Sequence, residues 1–155
     1  MYGRVEVWTC GRGLTNQSSI PPYKPSSPGY AANPPATVIQ KITKPTRIPV
    51  PDGKRIDEHV GRVHTGTTSM SVAHMVAPPG WSEPFQQPDF DEVTIVVRGT
   101  VRVEHDGGAL DVGAGETVLV EAGDRIRYSN PFEAEAEYWA VCTPAFSPET
   151  AHREA

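Results

Sequence analysis

The sequence is poor in the features that mark membrane, disulfide-rich and nucleic-acid-binding proteins. It has two cysteines, Cys10 and Cys142, which are too few for a disulfide framework and favour a reducing, cytoplasmic setting. No apolar run approaches the roughly 18 residues that a membrane helix needs, and the opening MYGRVEVWTC lacks the apolar core of a signal peptide. The net charge is −5, without a basic stripe and interleaved aromatics, so we expect neither a membrane nor a nucleic-acid partner.

Glycine and proline are abundant instead. With 14 glycines and 16 prolines among 155 residues, the chain favours short strands and turns over long helices. Residues 1–36 are especially rich in Pro, Ser, Gly and Asn, and we expect them to form an extended arm without regular structure. The sequence leaves open whether this arm is free or packs on its own domain or on a neighbouring subunit. Residues 37–155 are expected to form the folded domain.

The pattern of the folded part predicts an all-β domain. Short β-prone segments alternate with turn signals, of which Asp106-Gly107 is the strongest hairpin signal. Strands at such regular spacing predict a sandwich or barrel. Near the end, Ser147-Pro148-Glu149 predicts a short terminal helix, with Ser147 as its N-cap. The predicted strands cover residues 37–43, 46–50, 54–63, 69–76, 92–98, 101–105, 110–112, 117–120, 125–129 and 137–143.

Two stretches of the domain keep a regular spacing of glycines and polar residues. The first, GWSEPFQQPDFDEVTIVVRG, runs from Gly80 to Gly99 and contains Glu92. The second, GETVLVEAGDRIRYSN, runs from Gly115 to Asn130. In their spacing, both stretches resemble the two signature motifs of the cupin family. The resemblance implies a jelly-roll β-barrel with an internal cavity, often assembled as a homodimer.

The metal-binding histidines of those motifs are replaced. Their three positions hold Gln86, Pro88 and Ile126. The resemblance therefore implies that no metal is tightly bound, because the oxygen ligands that remain suit at best a weak or atypical divalent ion. The run EPFQQPDFDE, from Glu83 to Glu92, is similar to ethanolamine-utilisation-like cupins, a group that also lacks the usual histidines.

If the cupin register applies, alternation along each strand determines which side chains face the cavity. Glu92 and Thr94 then point inward from one strand, and Ile126 and Tyr128 from another. Burial raises the pKa of a carboxyl group, so Glu92 is a candidate general acid or base. The alternative is a structural carboxylate held by hydrogen bonds. Tyr128 is either a proton donor or a wall residue bonded to Glu92.

Five further residues are candidates for the site. Glu83 is either the second carboxylate of an acid–base pair or a solvated loop residue. Gln86 offers an amide that can both donate to and accept from a substrate. Trp81 and Tyr138 are candidate substrate contacts. His74 is a candidate ligand or base if it faces inward, and an interface or surface residue if it does not.

The segment VTIVV, residues 93–97, is apolar at every position but one. Such a strand is expected to be covered on both faces. One face belongs to the barrel interior, and the other to a partner subunit or to the N-terminal segment of the same chain. Cover of the outer face by a partner subunit would make the protein a homodimer.

Taken together, these residues predict a protein that binds a small polar metabolite in its barrel. Glu92, Glu83 and Tyr128 suit metal-independent proton transfer, of isomerase or lyase type. Two alternatives stay open. One is a binding or sensory module without catalysis, and the other is an enzyme whose divalent metal is held by atypical ligands.

Overall fold

Nine strands and one short helix form the regular structure of residues 39–155, the part of the chain that the computed structural model describes. The predicted arm, residues 1–36, lies outside the described residues. The strands are β1 Thr46–Ile48, β2 Arg55–Val60, β3 Ser71–Ala77, β4 Asp91–Arg98, β5 Thr100–His105, β6 Gly108–Gly113, β7 Thr117–Val120, β8 Ile126–Ser129 and β9 Ala136–Thr143. The helix is α1, Pro148–Ala151.

The strands form two antiparallel sheets. The larger has the order β1-β2-β3-β9-β4-β7, and the smaller has the order β6-β5-β8. Apolar side chains from both sheets, among them Val96, Val103 and Tyr128, pack into one shared core. The all-β architecture and the short C-terminal helix are therefore as predicted. The described residues contain no helix that is long and apolar enough to span a membrane.

One predicted strand is wrong in its described part. Residues 39–43 of the predicted strand 37–43 are not extended into any sheet. Strand β1, which follows them, pairs only with β2 at the edge of the larger sheet. Alternating apolar residues give a strand only where a neighbouring strand takes up their backbone groups, and residues 39–43 have no such neighbour among residues 39–155.

The alternation predicted for β4 is confirmed. Thr94 and Val96 are buried on the inner face, together with Glu92. On the outer face, Ile95 is 42% exposed and Val97 is 51% exposed. The outer face of this apolar strand is therefore open to solvent in the single described chain.

The C-terminal segment folds back over one end of the barrel. Ser147 caps α1 by accepting a hydrogen bond from the Thr150 backbone N–H, as the sequence predicted. Beyond α1, Arg153 forms a backbone bridge with Gln86, and the Glu154 N–H donates to the Phe85 carbonyl at 2.8 Å. These contacts attach the tail to the loop between β3 and β4, which carries Glu83 and Gln86.

Candidate functional site

A cavity of about 310 Å³ lies on the inner face of the larger sheet. Side chains from β2, β3, β4 and β9 form its wall, and Tyr128 of β8 faces them from the smaller sheet. The loop between β3 and β4 and the C-terminal segment close it at one end. The volume suits a small metabolite rather than a polymer.

Glu92 is the buried carboxyl group of this cavity, with 8% of its surface exposed. Burial raises its pKa from the ordinary value of 4.5 to about 7, and the nearby Glu83 carboxylate contributes to this rise. Lys54 and hydrogen bonds from Thr94 and Tyr128 act in the opposite direction on the pKa. A carboxyl group that titrates near neutral pH can both give and take a proton under physiological conditions.

Thr94 connects Glu92 to Tyr128. The Thr94 hydroxyl lies 3.1 Å from Glu92 Oε1 and 3.3 Å from the Tyr128 hydroxyl. Because it carries one proton, it can donate to only one of these two oxygens at a time. Burial and the charge of Glu92 hold the pKa of Tyr128 well above its ordinary value of 10, so its phenol stays protonated. The three groups form a chain along which a proton can be exchanged.

Glu83 and Gln86 lie at the closed end of the cavity, and both are buried. Glu83 Oε1 accepts from the Tyr128 backbone N–H at 3.4 Å, and Glu83 Oε2 lies 3.4 Å from Arg153 Nη2. Arg153 Nε also donates to Gln86 Oε1 at 3.3 Å. Glu83 is therefore not a solvated loop residue, because its oxygens face a backbone donor and a guanidinium group.

Lys54 and Arg153 are cavity residues that the sequence pattern did not reveal. Lys54 Nζ lies 4.0 Å from the centre of the Trp81 ring and 5.3 Å from that of Tyr138. The Trp81 indole N–H donates to Asp52 Oδ2 at 2.7 Å, which fixes the ring beneath the amine. No local pattern marks Lys54, because its place depends on long-range pairing of β2. Arg153 reaches the cavity only because the tail folds back.

The hydroxyl of Tyr138 is buried without a hydrogen-bond partner in the described structure. The ring lines the cavity and is 1% exposed. A buried hydroxyl without a partner is costly, and a polar group on a bound molecule would satisfy it. Tyr138 therefore faces inward, whereas its neighbour Trp139 packs against His74 on the outer face of the sheet.

Not every candidate residue lines the cavity. Glu92, Glu83, Tyr128, Gln86 and Tyr138 do, while Thr94 and Trp81 stand behind them, in contact with Glu92 and Lys54 respectively.

His74 and Ile126 lie elsewhere. His74 is on the outer face of the larger sheet, where its Nε2 is 2.9 Å from Glu137 Oε1 and its ring packs on Trp139. It is therefore not the inward ligand or base but the interface or surface residue of the two alternatives, since its neighbours on β3, Ala73 and Met75, take the cavity side. Ile126 points inward as predicted, but its side chain packs in the apolar core and does not line the cavity.

The residues present do not fit the metal of the cupin motifs. Gln86, Pro88 and Ile126 supply no imidazole, and no group of three His, Cys, Asp or Glu side chains converges on one point within residues 39–155. Arg153 places positive charge beside Glu83 at one end of the cavity, which opposes a cation there.

Comparison with known proteins identifies the fold. A model of the cupin domain family matches residues 73–142, which span β3 to β9 and hold both motifs. Residues 73–142 therefore form a cupin domain. This cupin is similar in structure to the EutQ protein of Clostridium difficile, with 19% identity, a TM-score of 0.51, and 66% of this chain and 73% of that chain covered. It is also similar to a sugar phosphate isomerase of the cupin superfamily from Silicibacter pomeroyi, with 19% identity and a TM-score of 0.53. That match covers 69% of this chain and 73% of the isomerase chain.

A closer sequence relative comes from Myxococcus xanthus (strain DK1622). This cupin is 50% identical over 114 residues to a protein named Endoribonuclease YbeY. The match covers 74% of this chain and 39% of that protein. The chain therefore spans only about two fifths of the length of the relative that it matches.

Proposed function

We propose that this cupin binds a small polar metabolite in its cavity and catalyses proton transfer without a resident metal, in a reaction of isomerase or lyase type. The observation that carries the proposal is the buried carboxyl group of Glu92, whose pKa is raised to about 7 inside a cavity of about 310 Å³. Proton transfer needs a group that is populated in both protonation states, and Glu92 meets that condition near neutral pH.

The roles of the neighbouring residues follow from their contacts. Glu92 is the general acid or base, and Thr94 holds its carboxyl group by a hydrogen bond. Tyr128, whose phenol stays protonated, donates to the substrate oxygen on which charge develops. Glu83 helps to keep the pKa of Glu92 high and is the second carboxylate of the pair. Gln86 and the free hydroxyl of Tyr138 orient polar groups of the substrate.

The test is exchange of substrate hydrogen with solvent. A panel of small carbonyl and hydroxy compounds is incubated with the protein in D₂O, and deuterium incorporation at carbon is followed by NMR. We expect incorporation into at least one compound and a loss of about a hundredfold or more in Glu92→Gln. Glu121→Gln, the same change on an exposed glutamate, is the matched control. Equal exchange in wild type and Glu92→Gln would show that Glu92 is not the base.

We also propose that no metal is needed for this exchange. The donor set of the cavity supports this, because it offers carboxylates and an amide beside the Arg153 cation and no imidazole. Exchange that falls with EDTA treatment and returns with added Mn²⁺ or Mg²⁺ would contradict it. Exchange that is unaffected by EDTA is the expected result.

A binding module without catalysis is the second candidate. The contacts of Glu83 with Arg153 and with the Tyr128 N–H favour it, because they satisfy one of the two carboxylates. This candidate predicts that a compound stabilises wild type and Glu92→Gln alike in thermal unfolding, and that neither protein exchanges its hydrogens.

A ribonuclease activity is the third candidate, favoured by the 50% identity to a part of the M. xanthus protein. The net charge of −5 opposes it, since RNA binding relies on cations that neutralise phosphates. Cleavage of a labelled single-stranded RNA by wild type, lost in Glu92→Gln, would support this candidate over the first. We expect no cleavage.

We propose, finally, a homodimer built on the outer face of β4 and β7. Ile95, Val97 and Leu119 are exposed on this face by 42%, 51% and 60%. An apolar sheet face of this kind is an unfavourable surface for a monomer. Light scattering on the full chain is expected to give a dimer that Leu119→Lys weakens. Leu110→Lys, a similarly exposed leucine on the smaller sheet, is the control and should leave the dimer intact. A monomeric wild type would contradict the proposal.

A further inference from the structure

Lys54 differs in its surroundings from the other two lysines of residues 39–155. Lys41 and Lys44 are exposed at the surface, whereas Lys54 lines the cavity with its amine held above the Trp81 ring. Within residues 39–155, no carboxylate oxygen lies within 4.0 Å of the Lys54 amine. The residue therefore places an amine in a small cavity without the ion pair that normally holds a buried lysine.

The surroundings of Lys54 favour its neutral amine. Burial lowers the pKa of Lys54, and the cation of Arg153 lowers it further. The carboxylates of Glu83, Glu92 and Asp52 act against this but do not cancel it. A lysine that is desolvated beside another cation is the usual form of an amine nucleophile in proteins.

We propose that Lys54 is a nucleophile that forms an imine with the carbonyl group of an aldehyde or keto substrate in this cavity. The lone pair of Nζ adds to the carbonyl carbon, and the carbonyl oxygen takes a proton. That oxygen then takes a second proton and leaves as water while Nζ keeps one of its two protons, so that one amine, one carbonyl and one proton give one protonated imine and one water. Protonated Glu92 supplies the proton to the leaving oxygen, and its carboxylate recovers one afterwards.

An imine explains how the Glu92 carboxylate, which is a weak base, can remove a proton from a carbon atom of the substrate. A protonated imine withdraws electrons from the adjacent carbon, so the hydrogen on that carbon becomes acidic enough for a carboxylate to remove. The inference thus rests on the proposed proton-transfer function and restricts its substrates to carbonyl compounds. Tyr138, whose ring centre lies 5.3 Å from Lys54 Nζ, has an unpartnered hydroxyl that is available to bind an oxygen of such a substrate.

The test traps the imine on the wild-type protein. The protein is incubated at pH 7 with sodium cyanoborohydride and either pyruvate or propanal, and the labelled lysines are quantified by peptide mass spectrometry over time. We expect Lys54 to be labelled several-fold faster than Lys41 and Lys44, because its lowered pKa leaves more of its amine free to react and the cavity holds the carbonyl compound beside it. Labelling of Lys54 at or below the rate of the two exposed lysines, with both probes, would overturn the inference.

Variants separate this inference from the proposed function. Lys54→Arg keeps a long side chain that ends in nitrogen and removes the nucleophilic amine, so we expect it to abolish the fast labelling phase and the exchange of substrate hydrogen with solvent. Fast labelling of Lys54 in a wild type that exchanges no hydrogen would support the imine and contradict proton-transfer catalysis. Exchange at the wild-type rate in Lys54→Arg would overturn the imine and leave the role of Glu92 standing.

Discussion

At the scale of single residues, Glu92 is held in the cavity at a cost in stability. Its pKa is raised to about 7 in the folded protein from an ordinary 4.5, so the folded state binds this proton more tightly than the unfolded chain does. The contribution of protonated Glu92 to the free energy of unfolding is complete below pH 4.5. It is lost as the pH rises through 7. Functional carboxyl groups often carry such a cost, because the environment that raises their pKa also penalises their charge.

Glu92→Gln should therefore stabilise the protein in a pH-dependent way. Near pH 4 the variant and the wild type should unfold with similar free energies. By pH 8 the variant should be more stable by up to roughly 3 kcal/mol, the equivalent of the pKa difference. Urea unfolding across this pH range measures the effect, and Glu121→Gln should show no such trend. A difference between Glu92→Gln and wild type that is the same at every pH would contradict the raised pKa.

Thr94→Val isolates the hydrogen bond that connects Glu92 to Tyr128. The Thr94 hydroxyl stabilises the carboxylate form, so its removal should raise the pKa of Glu92 above about 7. Valine has nearly the same shape, and the buried site should stay packed. A carboxyl titration by NMR reads the shift directly. A lowered or unchanged pKa would mean that Thr94 does not donate to Glu92.

At the scale of structural elements, two glycines of the cupin motifs have different reasons to be glycine. Both Gly99, with φ +74°, and Gly115, with φ +85°, adopt a left-handed backbone that other residues avoid. A methyl group added at Gly115 would meet open space, whereas one added at Gly99 would collide with the Glu135 carbonyl oxygen. Gly99 thus also lets the turn between β4 and β5 approach the start of β9.

Gly99→Ala should accordingly destabilise the fold more than Gly115→Ala. The left-handed conformation alone costs about 1–2 kcal/mol for alanine. The clash with the Glu135 carbonyl should add about 1–3 kcal/mol at Gly99. Urea unfolding of the two variants measures the difference in free energy. Equal losses would show that the backbone conformation, and not the close approach, requires Gly99.

At the scale of the whole molecule, the sequence predicts what depends on local alternation and misses what depends on distant pairing. The inward positions of Glu92, Thr94 and Tyr128 follow from strand parity and are confirmed. Lys54 lies just before β2, so the alternation of side chains along a strand does not determine where it points. Arg153 lies in the C-terminal segment, which reaches the cavity through its backbone bridge to Gln86.

The same reason explains the failed strand at residues 39–43 and the outward position of His74. A β-prone segment becomes a strand only where another strand pairs with it, and that pairing is decided outside the segment. The facing of His74 depends on the pairing of β3 with β9, in which His74 lies opposite Trp139. Neither feature can be read from its own segment.

We propose that this cupin cavity, which lacks metal-binding histidines, is an acid–base site built on Glu92. The most direct test is the titration of the Glu92 carboxyl carbon by ¹³C NMR, assigned by its loss in Glu92→Gln. We predict a midpoint near pH 7, as the burial of this group and the charge of Glu83 require. A midpoint near the ordinary 4.5 would mean that Glu92 is a solvated or ion-paired carboxylate, and the acid–base function would be wrong.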